Sequence, residues 1–156
     1  MRMRKRKLRT GVAAVELAIC LPILVLLLTG IWEVGRMVEV QQLMTNACRE
    51  GGRQASTGVK TISQVKQTVI TYLNRFGITN CDVSMVTVTN LTSSARSDPT
   101  TANQLDHFQI SLSIPANNVR WVLLTRLTSG SNMTASADWY SVADLPLTVN
   151  DSVPLQ

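Results

Sequence analysis

The chain has 156 residues, room for one modest globular domain and an anchor, since single domains usually run about 50 to 200 residues. Its formal net charge of +5 is uneven: six of the fifteen Lys/Arg (Arg2, Arg4, Lys5, Arg6, Lys7, Arg9) precede Gly11 with no acid among them, leaving nine against ten Asp/Glu. A nucleic-acid partner needs a basic face on the folded part, so this distribution argues against one.

From Val12 to Trp32 the sequence reads VAAVELAICLPILVLLLTGIW, twenty-one residues with Glu16 as the only charge. As a helix this run is about 31 Å long, close to the hydrocarbon thickness of a bilayer. Pro22 removes one backbone hydrogen bond, a defect that membrane helices tolerate. The basic flank MRMRKRKLR predicts that the N-terminus stays cytoplasmic and the remainder is exported. A cleavable secretory signal competes for this pattern. Its apolar core is usually about 7 to 15 residues, however, and Thr29-Gly30-Ile31-Trp32-Glu33 offers no small-x-small site. An uncleaved signal anchor carrying an extracytoplasmic binding module is the second reading.

A carboxylate inside an apolar helix costs about 2 to 3 kcal/mol when ionised near the bilayer centre, so Glu16 asks for a reason. It lies five residues after Gly11, whose missing side chain suits an extended backbone in a narrow protease site. The segment Thr10-Gly11-Val12-Ala13-Ala14-Val15-Glu16-Leu17-Ala18, then Leu21-Pro22, then Gly30-Ile31-Trp32-Glu33-Val34-Gly35-Arg36, resembles the TadE-like family of tight-adherence minor pseudopilins. Asn46 to Ala55 resembles the small-residue stretch that follows in that family, with Gly52 where alanine is common. The resemblance implies a basic leader over residues 1–11 and cleavage between Gly11 and Val12 by a membrane-embedded prepilin peptidase. It also implies subunit assembly through Glu16, which would neutralise the new α-amino group of a neighbouring copy. The implied partners are the bilayer, the peptidase, other pilin or pseudopilin subunits and an assembly platform. The implied place is the bacterial inner membrane, single-pass, with entry into a surface pilus that serves adhesion.

Apolar positions Val34, Met37, Val38, Met44, Ala47 and Cys48 predict that the anchor continues as an amphipathic helix over 33–57, with fraying from Gly51-Gly52 and a stop at Gly58. Thr61-Ile62-Ser63-Gln64 fits a capping box, and Ile62, Val65, Val69, Leu73 and Phe76 form the stripe of a second helix over 62–76. Strands are expected near 82–89, 107–114 and 132–139, with an exposed, mobile loop over LTSSARSDPTTANQ. Residues 119–127 read equally as helix or strand. The fold class is therefore α+β, a long N-terminal helix packed on a small antiparallel sheet over an extracytoplasmic domain of residues 33–156.

Cys20 falls inside the apolar run, which leaves Cys48 and Cys81 as the pair able to bond in an oxidising compartment or else to pack reduced as small apolar residues. His107 is the only histidine, so a nucleophile-histidine pair would rest on it alone, and no enzyme is expected. No metal-ligand spacing or phosphate-binding glycine loop occurs, and no cofactor is expected. Trp121, Trp139 and Tyr140 read as core or as an exposed aromatic patch. The triplets at Asn90, Asn132 and Asn150 match the glycosylation pattern by chance composition.

Overall fold

The computed structural model describes residues 10–119 and 130–142. Residues 1–9 of the leader, Trp121, Asn150 and most of the ambiguous 119–127 segment lie outside the described residues. The order is α1 (Thr10–Ala55), α2 (Ile62–Arg75), β1 (Val86–Asn90), β2 (His107–Pro115) and β3 (Asn132–Tyr140). The α+β class expected from the sequence holds.

The sheet is an antiparallel meander in the order β1-β2-β3. Its register puts Val86, Leu112 and Ala135 in one cross-strand row, Val88, Ile110 and Ala137 in the next, and Asn90, Phe108 and Trp139 in a third. These rows face the helices. Phe108, Ile110, Leu112 and Ile114 are fully buried, and the Phe108 and Trp139 rings stack at 4.4 Å between centroids. The opposite rows are polar (Thr89-Gln109-Asp138 and Thr87-Ser111-Ser136), so the alternation read in β2 is a sheet covered on one face only.

α2 begins where its capping signal lies. The Thr61 hydroxyl accepts from the Gln64 N–H, and the Gln64 side chain accepts from the Thr61 N–H at 3.0 Å. It ends in a Schellman motif: Gly77, at φ +83, donates to the Asn74 carbonyl and Ile78 donates to that of Leu73. Val65, Val69, Ile70 and Leu73 then face the core.

Three local expectations are corrected. Residues Val83–Met85 form a 3-10 turn in place of the start of a strand, because the Asp82 carboxylate caps the Ser84 N–H at 2.8 Å and holds the chain in a turn. Val34 and Val38 are exposed, and Val40 occupies the core instead. The glycine pair does not fray the helix. A Cβ on Gly51 would stand 2.6 Å from Val69 Cγ2, and one on Gly52 would stand 2.9 Å from Trp139 Cδ1. Both positions are buried contact points where α2 and β3 approach the backbone, and packing outweighs a propensity cost of about 1 kcal/mol per glycine.

The 91–106 loop is tied down. Asp106, 3% exposed, takes Arg96 Nε and Nη2 at 2.9 and 3.1 Å, the Asn103 N–H at 2.9 Å and Asn90 Nδ2 at 3.4 Å. The first of these, the Arg96 bond, contributes most to holding the Asp106 carboxyl down at about 2. Asn90, inside a glycosylation triplet, is therefore a buried structural residue.

Candidate functional site

The N-terminal half of α1 stands clear of the domain. Residues 11–28 are all exposed, with Val12 at 71% and Trp32 at 72%, and the helix is long and apolar enough to cross a membrane. A helix that is hydrophobic all round is ordinarily buried. The length and composition of this one suit a bilayer or a bundle of like helices as the cover. Its polar groups obey that constraint, since Thr29 Oγ1 donates back to the carbonyls of Val25 and Leu26 at 3.0 and 2.9 Å. The helix is continuous through Pro22.

Gly11 is in the first turn of α1, and a Cβ there would meet nothing within 4 Å. Val12, Glu16 and Ile19 follow at i, i+4 and i+7 on one face, all exposed. Among the described residues Glu16 has no hydrogen bond and no ion pair. The three residues that the sequence singles out are thus on one bare segment, available to an enzyme or a neighbouring helix.

Cys48 and Cys81 are both free thiols in this structure. Cys48 is buried and its thiol lies 3.8 Å from the Ala135 carbonyl. Desolvation pushes it up to about 11 and makes it a small apolar filler. Burial raises the Cys81 thiol as well. Of the aromatic residues, Trp139 is core and Tyr140 is 55% exposed.

His107 stacks on Tyr140 at 4.7 Å between centroids and lies 3.8 Å from Asp138. Among the described residues no three His, Cys, Asp or Glu are placed to hold a metal. Sequence reasoning missed the buried Glu33, 5% exposed directly after Trp32, and the Asp106 clamp. Neither has a local signal, because burial in both cases comes from tertiary packing.

One helix with a bare apolar half and a half packed on an antiparallel sheet defines a helix-anchored α+β protein. Residues 11–53 match the family model described as TadE-like protein, so the chain carries the TadE-like segment that its opening motif resembles. The match starts at Gly11 and stops two residues short of the end of α1. No curated protein and no solved structure matches the chain.

Proposed function

We propose that this protein is a minor pseudopilin of a tight-adherence, type IV pilus-like system, acting by assembly and not by catalysis. The observation that carries this reading is Glu16: a carboxylate with no partner among the described residues, five residues after Gly11, on a helix exposed throughout residues 11–28. A prepilin peptidase cutting after Gly11 would leave Val12 with a free α-amino group. In a bundle of such helices a neighbour's Glu16 is the one carboxylate at that depth able to neutralise it, so an unfavourable isolated charge becomes a mark of register between subunits. The helix sits in the inner membrane with its N-terminal side cytoplasmic and the sheet domain outside, and the processed subunit enters or primes a surface pilus that serves adhesion.

The test is a Glu16→Gln variant, which keeps shape and removes charge. Expected is normal processing and membrane insertion with loss of the subunit from sheared surface pili, or loss of the pili themselves. Unchanged incorporation and unchanged piliation would favour a plain anchored module, in which Glu16 has no role.

A further inference from the structure

No stalk separates the apolar run from the domain. Trp32 is 72% exposed while its neighbour Glu33 is 5% exposed, so domain packing begins where the lipid-facing run ends. α2 returns antiparallel to α1. Its start packs near Gly51, where Val65 and Val69 approach, and the turn after it, residues 77–80, shares one small cleft with Arg36. Arg36 is four residues beyond Trp32, about 6 Å along the helix axis. The headgroup layer on each side of the hydrocarbon is about 5 to 8 Å deep. The turn that follows α2 therefore stands at headgroup depth.

What this base presents suits that depth. Phe76 is 48% exposed and is backed by Tyr72 at 4.9 Å between ring centroids. Arg75 beside it is exposed and has no ion-pair partner among the described residues. Arg36 is engaged by Glu39 at 2.9 Å, which leaves Arg75 to meet a phosphate. Aromatic rings concentrate at membrane interfaces, and basic side chains within a Debye length of the surface are drawn to anionic lipid.

We infer that Phe76, Arg75 and the turn after them form a lipid-contact surface that seats the domain on the headgroups of the membrane its own helix crosses. The turn at its edge shares a cleft with Arg36 of the anchor helix, and the Arg75 charge complements lipid phosphate. The inference rests on the anchored reading above. It adds that a subunit entering a pilus must release this contact.

The test uses the full chain in phosphatidylcholine vesicles with a minority of phosphatidylglycerol, in a Cys20→Ala, Cys81→Ala background that keeps the buried Cys48. Single labels are placed through Phe76→Cys, through Thr57→Cys at the far end of the domain and through Ile31→Cys in the span, and are quenched by nitroxide lipids. Thr79→Cys replaces the first if circular dichroism shows that Phe76→Cys unfolds. Quenching at position 76 several-fold above that at 57 is expected, with Arg75→Glu lowering it and leaving position 31 unchanged. Strong quenching at 31 with equal, weak quenching at 76 and 57 overturns the contact surface and leaves the anchor standing. No quenching at 31 overturns both.

Discussion

The two halves of α1 are one unbroken helix in two environments. Residues 11–28 are exposed on every face, whereas Val40, Met44, Ala47, Cys48 and Ala55 of the outer half are each fully buried against α2 and the sheet. Most helical stability in water comes from packing an amphipathic face, and the outer half has that packing. The inner half has none. In a bilayer its backbone would be held by the absence of any other hydrogen-bond partner. The outer half is itself two-sided, and its glycines show it: Gly35 borders open space, and Gly51 is a contact point.

The comparison breaks most severely if the outer half loses its core. Phe108→Ala is expected to cost the domain about 3 to 5 kcal/mol. Thermal circular dichroism in detergent micelles should then show early loss of the sheet while the helical signal of the inner half persists. Gly51→Ala and Gly35→Ala sharpen the contrast with one substitution made twice. The first should destabilise by about 1 to 3 kcal/mol through overpacking on Val69, and the second should stabilise by up to about 1 kcal/mol through helix propensity. Denaturant midpoints would read both signs.

Acid probes the loop that backs the sheet. The Asp106 carboxyl is held at about 2, below its ordinary value of 3.8, so its contribution is full above the ordinary value and is lost as pH falls through the lower one. Domain stability should decline between about pH 4 and pH 2. Asp106→Asn should flatten that decline and lower stability at neutral pH, which a set of melting curves across pH would reveal. The smallest effect belongs to the inner half: Glu16→Gln should leave the domain's melting within about 0.5 kcal/mol of the parent, because Glu16 is exposed and has no partner among the described residues.

The parts of the fold legible in the sequence are those written locally. The Thr61-Gln64 box, the terminating Gly77 and the alternation Phe108-Ile110-Leu112-Ile114 each specify their element from neighbours a few residues away. The rest depends on distant contacts. Asp106 finds Arg96 and Asn90 ten and sixteen residues off, and a Ser/Thr/Asn-rich loop hides that clamp. Val34 and Val38 share a helical period with the true core residues, and packing of α1 against α2 and the sheet selects Val40 over them. Cys48 and Cys81 could be named as a pair by elimination, but whether they meet is set by packing. For the candidate site, the spacing of Gly11 and Glu16 was readable because it is one-dimensional, two positions along a single helix; the roles given to them are this account's proposal. Glu33 was readable only as a charge.

Intact-mass analysis of the membrane-extracted protein, made with and without an active prepilin peptidase, tests the central claim most directly. The account predicts a peptidase-dependent loss equal to residues 1–11 and a mature chain that begins at Val12. Persistence of the full-length mass beside a peptidase shown to cut another prepilin would contradict it.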